Sequence, residues 1–160
     1  LLGSGTILRE VLAAAELLEQ EFGVPADVFS VTSFSELRRE AIDAERWNLL
    51  HPAEPPQKSY LETVLEPETG VFVAVSDYMK SVPNQVAPWV PGGLTVLGTD
   101  GFGRSDTRRK LRQFFEVDRH YVAVAAMKAL ADQELLPRKT VAEAVKKYGI
   151  NPDKPNPLTV

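Results

Sequence analysis

Leu94-Thr95-Val96-Leu97-Gly98-Thr99-Asp100-Gly101-Phe102-Gly103-Arg104-Ser105-Asp106-Thr107-Arg108 joins a short apolar, β-branched run to Arg109-Lys110-Leu111-Arg112-Gln113-Phe114-Phe115, which has helical spacing. The apolar run reads as a buried strand. Three glycines and two aspartates after Leu97 demand a sharp turn, with polar groups at the strand's carboxyl end. In open α/β sheets that edge is where ligands and partner surfaces are met.

The same strand–turn–helix grammar recurs on both sides of this stretch. Leu1-Leu2 reads as the end of a strand and Gly3-Ser4-Gly5 as a turn, with Ser4 or Thr6 placed to cap a helix. That helix is expected to run to Phe22, with Ile7, Leu8, Val11, Leu12, Ala15, Leu18 and Phe22 on one face and Glu10 pointing elsewhere. Gly23 and Pro25 end it. Val28–Thr32 reads as a second strand, and Ser33-Phe34-Ser35-Glu36 as a capping box opening a helix to Leu50. His51–Pro56 is a stiff proline-rich loop, and Tyr60–Leu65 suits one or two helical turns. The unbroken apolar run Val71–Val75 predicts a strand covered on both faces. Met79, Val82 and Val86 suggest a short helix.

Beyond the loop, Leu111, Phe114 and Phe115 are expected to be buried, and Asp118 to cap a helix to Asp132. Thr140-Val141-Ala142-Glu143 reads as a capping box for a last helix that Gly149 ends. Residues 151–160 carry too many prolines for a helix and predict an extended tail. Strands alternating with helices imply a three-layer α/β/α fold around a mostly parallel sheet of four or five strands. We expect residues 1–160 to be a single domain cut from a longer chain, because the sequence opens as if a strand were already under way.

Composition limits the function classes. The 160 residues carry 18 basic and 22 acidic side chains, a net charge of -4, which argues against a nucleic-acid binder. No apolar run approaches the ~20 residues that span a bilayer. The absence of cysteine removes disulfides, thiolate catalysis and zinc–sulfur sites.

Four features carry potential chemistry. Gly3-Ser4-Gly5-Thr6 lacks the third glycine of the dinucleotide fingerprint, since Leu8 stands there, and reads as a capped turn. Gly101, Gly103, Arg104, Ser105 and Arg108 form a candidate anion-binding or interface loop within the basic cluster Arg104, Arg108, Arg109, Lys110 and Arg112. The favoured alternative is a solvated face whose arginines pair with carboxylates of a neighbouring domain. Asp77 and Asp100 close two strands; they either share one crevice or each cap a turn. His51 and His120 have no partner at metal spacing, and no Gly-x-Ser-x-Gly elbow is present. No residue is therefore assigned a catalytic, cofactor-binding or metal-binding role.

Several stretches carry a family resemblance: Leu2–Glu10, Ser30–Phe34 with Glu36–Glu40, Glu45–Asn48 with Leu50–Pro52, Gly98–Arg108, Phe114–Arg119, and Tyr148–Ile150 with Lys154–Pro157. Together they resemble the carboxyl-terminal domain of the homodimeric pyruvate dehydrogenase complex decarboxylases, in the transketolase-like thiamine-diphosphate family. The resemblance implies a transketolase carboxyl-terminal-domain-like fold and a structural, dimer-forming role. It also implies thiamine diphosphate and magnesium held by upstream domains of the same chain, a lipoyl acetyltransferase partner and a cytoplasmic location. Two other readings stand beside it. One is a regulatory module using the glycine loops as an anion site; the other is the same domain of a related 2-oxo acid dehydrogenase.

Overall fold

A computed structural model describes all 160 residues. Four parallel strands lie in the order β2-β1-β3-β4, where β1 is Leu2–Gly3, β2 Phe29–Ser30, β3 Phe72–Val75 and β4 Leu94–Leu97. No fifth strand joins them. Seven helices connect and flank the strands: α1 Leu8–Phe22, α2 Phe34–Leu50, α3 Tyr60–Leu65, α4 Ser81–Asn84, α5 Arg108–Phe114, α6 Arg119–Asp132 and α7 Arg138–Lys147.

Side-chain alternation along β3 sorts the core into two halves. Val73 and Val75 face a cluster with Leu1, Ile7, Val11, Leu18 and Met127, built from α1, α6 and α7. Phe72 and Ala74 face the opposite cluster with Leu2, Phe34, Ala41, Leu61 and Trp89, built from α2, α3 and the turn before β4. All four β3 residues are buried, as an unbroken apolar run requires. The β4 residues are only half-buried, because β4 is an edge strand. That corrects the buried strand expected for Leu94–Leu97.

Several helix ends follow the sequence rules. Gly23 has φ 66° and donates to the Glu19 carbonyl at 3.1 Å, while Val24 donates back to Leu18 at 3.0 Å, closing α1. Asp118 accepts from the His120 and Tyr121 amides at the start of α6. Ser59 and Glu62 form a reciprocal capping box on α3.

Other ends differ from expectation. Ser4 and Thr6 make no cap bond; a 3₁₀ turn over Gly5–Ile7 leads into α1, and Thr6 turns toward Asp77. Ser33 accepts from the Glu36 amide at 3.2 Å, but the Glu36 carboxylate pairs with Arg39 instead of reaching back. Thr140 caps nothing, because α7 begins a turn earlier, after Pro137. On α1, Leu12 is 48% exposed and Glu10 is buried, the reverse of the expectation. At ~100° per residue Leu12 lies about 120° from Leu18, off the core face, whereas Glu10 lies at its margin. Leu111, Phe114 and Phe115 are half-buried, since short α5 rides on the edge of the domain.

Candidate functional site

The chain leaves β1 toward β2 and leaves β3 toward β4, so the connections diverge between β1 and β3. The carboxyl ends of these two strands flank the place where an open α/β sheet forms a crevice. Thr6, after β1, donates from its hydroxyl to Asp77 Oδ2, after β3, at 3.2 Å. Thr99 donates its amide to the Tyr78 carbonyl at 2.8 Å and its hydroxyl to the Asp77 carbonyl at 2.7 Å. Asp100 Oδ1 accepts from the Lys80 amide at 2.9 Å. Asp77 and Asp100 are thus both spent on fixing loops.

The loop after β4 is pinned at two glycines. A Cβ on Gly98 would lie 2.7 Å from the Tyr78 carbonyl oxygen. Gly101 has φ +97°, and a Cβ there would lie 2.6 Å from the Pro157 carbonyl oxygen. Residues 151–160 therefore brace the underside of the loop. Lys154 anchors them, donating to the Phe114 carbonyl and pairing with Glu116 at 3.1 Å. Between these supports the tip carries Phe102, which is 83% exposed.

A crevice of about 470 Å³ opens beside the loop and includes Thr6, Asp77, Gly101, Gly103, Arg104 and Arg108 among its walls. The structure thus brings four of the five loop residues singled out in the sequence to one crevice. Ser105 is exposed on the same loop. The Arg104 guanidinium sits 4.9 Å from the Phe114 ring centroid. Thr107 caps α5 by accepting from the Lys110 amide.

The most tightly held charge in this region is Glu10, which sequence reasoning pointed the wrong way. Its Oε1 accepts from Arg112 Nη1 at 2.8 Å, and its Oε2 accepts from Arg119 Nε at 3.0 Å and the Arg119 amide at 3.1 Å. That amide is one of the unpaired donors at the start of α6. Arg112 also donates to the Thr6 carbonyl at 3.3 Å. One carboxylate therefore ties α1 to α5 and α6. Burial alone would raise the Glu10 pKa; hydrogen bonds and charge from Arg119 and Arg112 outweigh it and hold the carboxyl below 4.5, the ordinary glutamate value. The available signal was positional: Glu10 follows Ile7 by three residues and precedes Ala14 by four.

Neither histidine ring bonds to the loop or to Glu10, although His120 lines a depression shared with Arg108 and Arg109. His51 stacks on Trp47 at 4.4 Å, and its Nδ1 lies 2.8 Å from the Trp47 carbonyl oxygen, so that nitrogen carries a proton. His120 is half-buried against the Tyr148 ring at 4.6 Å. Trp89 is a core anchor whose indole N–H donates to Glu45 at 2.9 Å, whereas Tyr78 is exposed.

The donor set does not suit a diphosphate–magnesium group, which wants several oxygen ligands converging on one cation. No group of three His, Asp or Glu side chains converges in that way. The loop instead presents exposed guanidinium groups and an aromatic ring, which suits contact by charge and apolar burial.

The family model for the transketolase-like C-terminal domain matches residues 1–118. The pyruvate dehydrogenase E1 component of Pseudomonas aeruginosa is 58% identical over 99% of this chain. Those of Cupriavidus necator and Escherichia coli K12 are 55% and 52% identical over 100% and 98% of it. The chain spans only 18% of the length of each of these relatives. Its parallel sheet, with helices on both faces, has the architecture expected of such a domain. The matched segment runs from β1 through the buried Val117 at the foot of α6, and the chain belongs to the transketolase-like C-terminal domain family.

Proposed function

We propose that residues 1–160 form a single carboxyl-terminal domain of a longer, thiamine-diphosphate-dependent pyruvate dehydrogenase chain, where they supply structure and dimer contacts. The observation that carries this reading is the 58% identity, over 99% of the chain, to a protein named pyruvate dehydrogenase E1 component. In this reading thiamine diphosphate and magnesium bind in the upstream domains, at the interface of a homodimer. The bound cofactor supplies the electron sink for decarboxylation. Pyruvate loses carbon dioxide, the lipoyl disulfide of an acetyltransferase opens, one sulfur takes the acetyl group and the other becomes a thiol. The location is cytoplasmic. The role of this domain is supported by its braced loops and its two-sided core.

The test is an assay of the full-length chain with pyruvate and with longer or branched 2-oxo acids, with and without thiamine diphosphate. The reading expects cofactor-dependent carbon dioxide release, fastest from pyruvate. It also expects deletion of residues 1–160 from that chain to abolish turnover and the dimer together. A deleted chain that stays dimeric and turns over normally would overturn the proposal.

A further inference from the structure

Four cations along adjoining depressions of this acidic chain have no ion-pair partner: Arg9 on α1, Arg104 on the loop, and Arg108 and Arg109 on α5. The carboxylates around them are mostly engaged. Glu10 is held by Arg112 and Arg119, Asp118 by the α6 amides, and Asp106 by the Thr107 amide; Glu16 alone makes no such bond. Three shallow depressions of about 470, 450 and 710 Å³ meet at Arg108, so the surface is broad and continuous. Two large apolar side chains are exposed on it, Leu12 at 48% and Phe102 at 83%. Gly98 and Gly101 hold the Phe102 loop against backbone on two sides.

Resting on the reading above, we infer that this α1–loop–α5 face is the surface by which the domain docks onto carboxylates of the upstream part of its own chain. An exposed aromatic ring on a loop that also carries an arginine without an ion-pair partner has the composition of an interface centre. A loop already braced loses little freedom on docking. The cations sit on three separate elements, so the surface offers positive charge to several carboxylates at once. The occupant is the rest of the polypeptide because the relatives extend far beyond this domain, which covers 18% of their length.

The test is hydrogen exchange on the full-length chain. Wild type is compared with Arg108→Glu/Arg109→Glu, with Phe102→Ser, and with a matched charge change elsewhere, Arg38→Glu/Arg39→Glu. Docking predicts that the first two variants speed exchange across residues 98–110 at least about tenfold, with core amides of α6 unchanged, and that the α2 variant does not. High salt should reproduce the effect of the charge reversal. Unchanged exchange at 98–110 in both variants would overturn the inference. So would protection that fades on dilution, which would place the contact between subunits, or slower exchange on adding inorganic pyrophosphate, which would indicate a small-anion site. Pyruvate turnover by the same wild-type sample separates the two claims. An active chain with unaffected exchange refutes only the docking face; an inactive chain refutes the pyruvate dehydrogenase reading.

Discussion

Replacing Glu10 by Gln keeps the shape of the side chain and removes its charge. Glu10 accepts from Arg112, whose side chain is 16% exposed, and from Arg119, whose side chain is 45% exposed. Water can rehydrate Arg119 once the carboxylate is gone. Arg112 and the Arg119 amide at the start of α6 are more covered and are rehydrated less fully. Removing one partner of a fully buried pair costs about 3–5 kcal/mol, and a hydrogen bond to a charged group contributes about 1.5–3 kcal/mol. Half-exposure of Arg119 lowers the first figure, and the glutamine oxygen can still accept one of the bonds. The expected loss is about 2–3 kcal/mol, read as a drop in the urea midpoint at constant slope. Arg119→Gln should cost less, about 1 kcal/mol, because its backbone amide still donates to Glu10. A Glu10→Gln protein within about 0.5 kcal/mol of wild type would refute the view that this carboxylate clamps α1 to α5 and α6.

Three further outcomes follow from the same structure. Because the Glu10 pKa is lower in the folded chain than in the unfolded one, its contribution is complete above the unfolded value and is lost as pH falls through the folded value; acid titration of urea midpoints below 4.5 should show a loss that Glu10→Gln lacks. Gly101→Ala places a Cβ 2.6 Å from the Pro157 carbonyl oxygen at φ +97°, so it should cost about 1–3 kcal/mol and release residues 151–160 to limited proteolysis; an intact, protected tail would argue against the brace. Leu18→Ala should cost about 2–5 kcal/mol while Leu12→Ala should leave the isolated domain within about 0.5 kcal/mol, measured by urea unfolding.

Local signals made most of the architecture readable. The apolar run Phe72–Val75 and the stops at Gly23 and Gly149 are short-range features, and the structure follows them. So is Asp118 at the start of α6. Ser59-x-x-Glu62 is an equally local signal that the same rule would have found on α3. What was not readable depends on contacts far apart in sequence. Glu10 looked like an ordinary surface glutamate because its partners, Arg112 and Arg119, lie about a hundred residues away. Ser4 and Thr6 both look like cap residues because nothing local announces the Thr6 contact with Asp77. Alternation alone leaves the count at four or five strands; the structure has four, and the segment after α6 forms α7. The loop 98–108 was legible as a polar turn at the sheet's edge, but its bracing by Pro157 was not, since that contact needs the tail folded back.

Under the proposed function this domain scaffolds a reaction whose cofactor is held elsewhere in the longer chain. Calorimetric titration of the 160-residue chain with thiamine diphosphate and magnesium, beside the full-length chain, tests it directly. The account predicts saturable heat from the full-length chain and none from the 160 residues. Stoichiometric binding by the 160 residues alone would contradict it.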